Sequence, residues 1–202
     1  MGHREDLLAG AKACLLKIGY ARTTARDIVA ASGANLGSIG YHFGSKEALL
    51  NAALVQATEE WSDELERALT TTKIASEANR MERFEILWGR VIDLFQTHKA
   101  LWAAQFEMFT QIQHKPEMRP RVAEAQEQAR RGLAALLQQV DPSYDEKSAR
   151  VAASFFLSLM TGVMAQLLAD PDGAPSAHDL TEAVRLMAMT TATPEVPAPG
   201  LS

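Results

Sequence analysis

The sequence predicts an all-α protein of about nine helices. In most segments the apolar residues recur every three or four positions, as on one face of a helix, and the alternating pattern of a strand is not found. Glycine, proline and capping residues divide these segments into helices of ordinary length. With 202 residues, 47% of them hydrophobic, the chain can build one large domain or two small ones around a sizeable core.

The first three predicted helices are short and close together, and a long fourth follows. Their ends are marked by glycines and by residues that cap helices. These are Gly19 after the first helix (4–18), Thr23 or Thr24 before the second and Gly33 after it, Asn35 before the third (36–43), and Ser45 before the fourth, which extends to about Thr71.

The later helices are separated mainly by proline-containing breaks. Large apolar residues at helical spacing predict helices around 84–95 and 101–109. Further helices are predicted from Pro116 or Pro120 to about Val140, over 144–169 after Asp141-Pro142, and over 176–191 after a PDGAP loop. The proline-rich tail, 192–202, is predicted to be flexible.

Helices two and three, joined by a tight turn at Gly33, have the outline of a helix-turn-helix. In that motif the second helix enters the major groove of DNA. Gly37 and Gly40 each weaken this helix by about 1 kcal/mol relative to alanine. Close approach of its backbone to a duplex would account for them.

The charge distribution agrees with contact between the first part of the chain and a polyanion. Residues 1–50 contain six basic and four acidic residues, whereas the remainder contains fourteen basic and twenty-one acidic ones. A chance imbalance is the alternative, because the excess in the first part is small.

Residues 4–50 resemble the DNA-binding domain of the tetracycline-repressor (TetR) family of bacterial regulators. The resemblance lies in three ordered stretches, LLAGAKACLLKIGY, TTARDIVAASGA and YHFGSKEALL. It covers about a quarter of the chain, and the rest agrees only in length and helical character. The resemblance implies a cytoplasmic, homodimeric repressor that binds a palindromic, double-stranded operator and is released by a small-molecule effector.

Candidate DNA-binding residues follow from this resemblance. Thr24 matches a threonine that caps helix two and touches phosphate, and Arg26 a position that reaches a base edge or a phosphate. The full set is Thr24, Arg26, Asn35, Leu36, Gly37, Ser38, Tyr41, His42 and Lys46, with bases expected at 36–38 and phosphates at 41, 42 and 46. Two positions depart from the family, which often has lysine at 36 and tyrosine at 40. Leu36 is therefore expected to contact a thymine methyl group.

The resemblance also implies a division into a DNA-binding domain (1–47), an effector-binding and dimerisation domain (48–191) and the tail (192–202). Helix 149–169 is apolar on every side and carries a row of small residues that permits close helix contact. We expect the last two helices to form a four-helix interface between two chains. A core within one chain is the alternative. The candidate interface residues are Val151, Ser154, Phe155, Ser158, Gly162 and Leu186.

The middle helices are rich in aromatic residues, which line either a core or a ligand pocket. The family resemblance favours an apolar or aromatic effector held between these helices. Candidate ligand residues are Trp88, Phe95, Trp102, Gln105, Phe106 and Phe109. Further candidates for polar anchors are His98, Gln111 and His114, and Met108 and Met118 are further large residues of these helices.

Catalysis is the rival class, and the sequence argues against it. Cys14 lies on the apolar face of helix one, the five histidines have no metal-ligand spacing, and no glycine-rich phosphate loop follows a strand. We therefore expect no enzyme activity, metal or cofactor. A helical sensor or protein-binding module without DNA binding remains a second alternative.

A membrane span is considered because Val151–Ala169 is 19 residues without a charge. Its serine, threonine and glutamine residues favour a buried helix of a soluble protein. No secretory signal is visible at the N-terminus, and the single cysteine permits no internal disulfide.

Overall fold

A computed structural model describes residues 3–72, 78–114, 116 and 119–191, excluding the side chains of 112–114, 121 and 191. Over these ranges the chain forms nine helices and no strand, as the sequence predicts. The helices are α1 (His3–Ile18), α2 (Ala25–Ser32), α3 (Leu36–Phe43), α4 (Lys46–Thr71), α5 (Arg80–Thr97), α6 (Lys99–His114), α7 (Arg119–Val140), α8 (Glu146–Ala169) and α9 (Ala177–Thr191). The predicted flexible tail, Met118 and the side chain of His114 lie outside the described residues.

The short helices begin and end where the local sequence supplies caps. The Thr24 side chain accepts a hydrogen bond from the Asp27 amide, and the Asp27 side chain accepts one in return from the Thr24 amide, which makes a capping box. Asn35 and Ser45 cap α3 and α4 in a similar way, through the amides three residues on. Gly33 ends α2 at φ 67°, a conformation that glycine adopts without strain.

The first three helices pack around one small core that α4 completes. Leu7 and Leu15 of α1, Ile28 of α2 and Leu49 of α4 are fully buried, and Ile39 of α3 is nearly so. Because α4 continues from this core into the rest of the molecule, it links the N-terminal head to the C-terminal body.

Two aromatic clusters organise the body. Trp61 of α4, Phe95 of α5 and Trp102 of α6 lie in mutual contact, with ring centroids 4.6 to 5.7 Å apart. Phe84 and Trp88 of α5 lie against Phe156 of α8, with centroids 6.0 to 6.4 Å apart. Helix α8 also pairs with α7, and α9 with α5.

Helix α8 is only partly covered within one chain. Among the described residues it is the one helix long and apolar enough to cross a membrane by length and composition, and 28% of its apolar window is buried inside the chain. A single helix of this kind is weak evidence for a span, because core helices of soluble proteins meet the same criteria. The sequence predicts a buried helix, whereas within one chain half of the α8 residues are exposed.

Candidate functional site

The exposed side of α3 presents four residues, Leu36, Gly37, Gly40 and Tyr41, which we call the α3 reading face. Leu36 is 57% exposed and Tyr41 is 86% exposed. Between them the two glycines leave the helix backbone bare. Opposite this face, Ile39 anchors the helix in the core. The result is a shallow helical surface whose backbone can approach another molecule closely.

Asn35 and Ser38, two of the predicted DNA-binding residues, hold the start of α3. The Asn35 Oδ1 atom accepts hydrogen bonds from the Ser38 amide at 3.0 Å and from the Ser38 hydroxyl at 3.1 Å. Both side chains therefore fix the first turn of the reading helix. The Ser38 hydroxyl keeps its acceptor lone pairs for a further partner.

On α2, Thr24 and Arg26 are exposed, as a role at an interface requires. The Thr24 hydroxyl donates to Asp27 Oδ2 at 2.7 Å, and the Thr24 amide donates to the same oxygen at 2.8 Å. These hydrogen bonds hold the pKa of Asp27 below its usual value. The start of α2 is therefore rigid, and Arg26 follows it directly.

Lys46 has a structural partner that the sequence did not indicate. Its Nζ atom donates to the backbone carbonyl of Thr23 at 3.0 Å and lies 3.7 Å from Glu47 Oε1. The ammonium group thus ties the start of α4 to the residue just before the α2 cap. Its predicted phosphate contact stays a prediction.

The end of α3 carries three aromatic side chains, and one of them lies close to a positive charge of α1. Tyr41 and His42 meet edge to face with ring centroids 4.8 Å apart. The Arg4 guanidinium lies 5.2 Å from the centre of the Phe43 ring. Sequence reasoning did not single out Arg4, although its charge belongs to the basic first part of the chain.

The six predicted ligand residues do not form one group. Trp88 belongs to the α5–α8 cluster, whereas Phe95 and Trp102 belong to the cluster with Trp61, which the sequence did not nominate. All four side chains are buried.

The remaining three ligand candidates lie on α6. The Gln105 amide donates to Thr58 Oγ1 at 2.9 Å. Phe106 and Phe109 are half-buried, with ring centroids 6.3 Å apart. An open surface groove of about 570 Å³ lies elsewhere, between α4 and α5, and none of the six residues lines it. The ligand assignments therefore stay predictions.

The predicted interface residues of α8 lie on one side of that helix, and the large ones of α8 and α9 are exposed. Val151 and Phe155 of α8 are 65% and 50% exposed, and Leu186 of α9 is 61% exposed. The Ser154 and Ser158 hydroxyls donate to carbonyls one turn back in α8, at 3.0 and 2.9 Å. Because those hydroxyls are satisfied internally, the face can be covered by apolar groups without leaving a donor unpaired.

A direct contact joins the body to the head at the turn after α1. The Glu107 carboxylate of α6 accepts a hydrogen bond from the Ala21 amide at 2.8 Å. A side chain at Gly19 would begin 3.0 Å from the other Glu107 oxygen. A second link joins Lys12 of α1 to Glu60 of α4 at 2.6 Å. Movement of α4 or α6 would therefore displace α1 or the turn that follows it.

The described residues contain no group of three or more potential metal ligands among His, Cys, Asp and Glu. Cys14 is buried, and its burial raises the pKa of the thiol, which keeps it protonated and unreactive near neutral pH.

Helices α2 and α3 are short and joined by a tight turn, and α3 is capped and exposes one face on a small three-helix head. This arrangement is that of a helix-turn-helix DNA-binding protein. The family model described as "Bacterial regulatory proteins, tetR family" matches residues 7–53. A second model, described as "Tetracyclin repressor-like, C-terminal domain", matches residues 79–190. The second match alone covers more than half of the chain, which therefore belongs to the TetR family of transcriptional regulators. Members of this family are DNA-binding regulators and not enzymes.

Solved structures share the fold over nearly the whole chain. A proposed transcriptional regulator from Rhodococcus sp. RHA1 is 19% identical with a TM-score of 0.70, over 96% of this chain and 97% of that one. The multidrug binding protein EbrR, complexed with proflavin, is 22% identical with a TM-score of 0.65, over 92% and 99%. A proposed regulator from Saccharomonospora viridis, in complex with choline, is 20% identical with a TM-score of 0.62, over 92% and 95%. No curated protein matches this chain.

Proposed function

We propose that this TetR-family regulator is a homodimeric repressor that binds a palindromic operator and leaves it when a small molecule enters its body. The α3 reading face is the observation that supports the operator contact most strongly. Its exposed Leu36 and Tyr41 flank bare backbone, and the side chains around it are held by caps. Such a surface suits a major groove, where apolar contact with thymine methyl groups contributes to sequence recognition.

The exposed apolar side chains of α8 and α9 support the homodimer. A palindromic operator needs two reading heads, set about 34–36 Å apart on successive turns of the duplex. Isologous packing of two α8–α9 pairs would cover Val151, Phe155 and Leu186 in both chains at once. Insertion of α8 into a membrane is the competing outcome, and a soluble dimer by light scattering excludes it.

Release by an effector is supported by relatives of the same fold. EbrR and the Saccharomonospora viridis protein have been solved with proflavin and with choline. In this chain, α4 and α6 both reach the head, through the Lys12–Glu60 and Ala21–Glu107 contacts. A ligand that changes the spacing of α4 and α6 would move the two heads out of register with the grooves.

A gel-shift experiment on the intergenic DNA upstream of the chain's own gene tests the proposal. The wild-type chain should shift this duplex and leave a scrambled duplex of equal length unbound at the same salt. The Leu36→Ala, Tyr41→Ala double variant should lose the specific shift while keeping the circular dichroism of the wild type.

Leu16→Ala is the matched control, because Leu16 is another exposed apolar residue of the head, near the end of α1. It should bind as the wild type does. Failure of the wild type to prefer its own upstream DNA would favour the alternative, a helical sensor or protein-binding module without DNA binding.

A further inference from the structure

Three side-chain pairs join α4 to α6 and to His98, the residue just before α6, along an antiparallel seam, which we call the α4–α6 seam. At one end Gln105 donates to Thr58 at 2.9 Å, and at the other His98 lies 3.0 Å from Glu64 Oε2. Trp61 and Trp102 form the middle pair, edge to face with ring centroids 4.6 Å apart. The seam therefore has polar pairs at both ends and two indoles between them.

The two indoles are buried, and their N–H groups have no hydrogen-bond partner. Trp61 is 5% exposed and Trp102 is 6% exposed. Neither Nε1 atom meets an acceptor in the structure. Buried indole N–H groups usually find one, because an unpaired buried donor destabilises the fold.

The neighbouring polar groups are engaged with each other. Thr58 and Gln105 form one pair, and Glu64 and His98 form the other. A third unpartnered buried atom among the described residues, Gln56 Oε1, belongs to a side chain bound to Glu60, which pairs with Lys12 of α1. None of these groups, Gln56 Oε1 included, accepts from either indole, so an acceptor supplied from outside the chain would satisfy both donors.

The surroundings of the indoles define the shape of such a molecule. Phe95 stacks on Trp61 with the ring planes 12° apart and meets Trp102 edge to face at 5.5 Å. Flat aromatic surfaces at right angles favour a flat, apolar guest. The two unpaired donors of this cluster would be satisfied by an oxygen or ring-nitrogen acceptor on its edge.

We infer that the effector is a planar, apolar molecule with a hydrogen-bond acceptor, which opens the α4–α6 seam and accepts from Trp61 Nε1 and Trp102 Nε1. This inference rests on the proposed effector control and adds the chemical class of the effector. The same insertion separates the helix that carries Glu60 from the one that carries Glu107, which are the two links to the head. Effector binding is thereby coupled to the release of DNA.

Two matched pairs of probes test the inference on the full chain: 9-fluorenone with fluorene, and xanthone with xanthene. Within each pair the shape is nearly constant and only the carbonyl acceptor differs. The chain is labelled with ¹⁵N, and each probe is titrated while the three indole N–H resonances are followed by NMR. At least one ketone should bind about tenfold tighter than its partner without the carbonyl, a difference of about 1.4 kcal/mol. It should move the Trp61 and Trp102 resonances.

Single substitutions then locate the donors. Trp61→Phe and Trp102→Phe keep an aromatic ring and remove one N–H each, so each should bring the affinities of the two probes in a pair closer together. Phe84→Leu is the control variant, because Phe84 lies in the α5–α8 cluster with Trp88 and Phe156, has no N–H group and is not one of the ligand candidates. It should leave the ketone preference unchanged.

The inference is overturned if fluorene and xanthene bind as tightly as the ketones, or if the shifts fall on Trp88 alone. It is equally overturned if neither ketone binds below about 1 mM, the weak end of the affinity scale. The upstream-DNA gel shift without any probe is run beside these titrations. Specific DNA binding without a ketone preference rejects the proposed class of effector but not the proposed regulator. A ketone preference without specific DNA binding rejects the operator proposal alone.

Discussion

Leu36 stands in the first turn of α3, and the glycine beside it adds no side chain to the reading face. Leu36→Ala should therefore weaken the operator complex mainly at one base pair in each half-site, by about 1 kcal/mol, the lower end of mismatch costs. The salt dependence of binding should be nearly unchanged, because the substitution removes no group that binds phosphate. Fluorescence anisotropy on operator and scrambled duplexes at several salt concentrations measures both quantities. Equal weakening on the two duplexes would make Leu36 a packing residue.

Lys46 differs from Leu36 because it is a charged group that also has a partner within the fold. Lys46→Ala should weaken operator and scrambled DNA alike, and the slope of log affinity against log salt should fall by about 0.9 for each phosphate that the lysine neutralises. Removal of the hydrogen bond to the Thr23 carbonyl should also lower the unfolding free energy by about 1 kcal/mol. Lys17→Ala, at an exposed lysine near the end of α1, is the control. An unchanged salt slope in Lys46→Ala would assign Lys46 to the fold alone.

At the scale of the helix, Glu107 connects α6 to the turn that leads into α2. Glu107→Ala removes the acceptor of the Ala21 amide, so hydrogen exchange at that amide should accelerate while the amides of α8 keep their protection. Glu107→Gln retains a side-chain oxygen and should restore most of the protection. If exchange at Ala21 stayed slow in Glu107→Ala, the α6 contact would not hold this turn.

A cluster of ion pairs around one carboxylate of α7 reaches α8. Glu127 lies among Arg130, Arg131 and Arg150, with its oxygens 3.3 Å from Arg131 Nε and 2.6 Å from Arg150 Nη2. The hydrogen bond from Arg150 is the main cause that lowers the pKa of Glu127 from 4.5 to about 2. A lowered folded-state pKa stabilises the fold above the unfolded value, and this contribution disappears as the pH falls from about 4.5 towards 2.

The melting temperature of Glu127→Gln should therefore fall less steeply than that of the wild type as the pH drops from about 4.5 towards 2. Above that range the difference in melting temperature between the two proteins should stay nearly constant. Glu124→Gln, one turn earlier on the exposed side of α7, is the control and should keep the decline of the wild type. Parallel curves for the wild type and Glu127→Gln would show that this cluster does not contribute to acid sensitivity.

The helices themselves could be predicted because their signals are local. Asn35 and Ser45 cap amides three residues away, and Gly33 ends α2 within the same short segment. The Trp61–Trp102 contact could not be predicted in this way, since it joins residues 41 positions apart and depends on how α4 crosses α6. The bond between Lys46 and Thr23 was missed for the same reason. Periodicity indicates which side of a helix is apolar, but the partner of that side depends on tertiary packing.

At the scale of the whole molecule, Gly162 tests the assembly of two chains. A Cβ atom added there meets no group within 4 Å in one chain, and the position is exposed, so Gly162→Leu should fold normally. In the proposed dimer the added side chain would overpack the contact between paired helices, at a cost of about 1–3 kcal/mol or more. Light scattering at low concentration should then show monomers, and operator binding should fall with the dimer.

Gly132→Leu is the control, because Gly132 is a helical glycine on α7 that is equally open. It should leave the dimer and its operator affinity unchanged. An intact Gly162→Leu dimer at low concentration would remove the row of small residues on α8 from the interface.

Because α3 carries glycine on its exposed face, its preference for a DNA sequence can change without a loss of stability in the head. A Cβ atom added at the exposed Gly40 meets nothing within 4 Å, and the residue is not one of the glycines with positive φ. Most replacements there would strengthen the helix, by up to about 1 kcal/mol for alanine. In the proposed operator complex, each new side chain would face the duplex directly. A duplicated copy of this gene could thus acquire a different operator through a single codon, without a compensating change elsewhere in the fold.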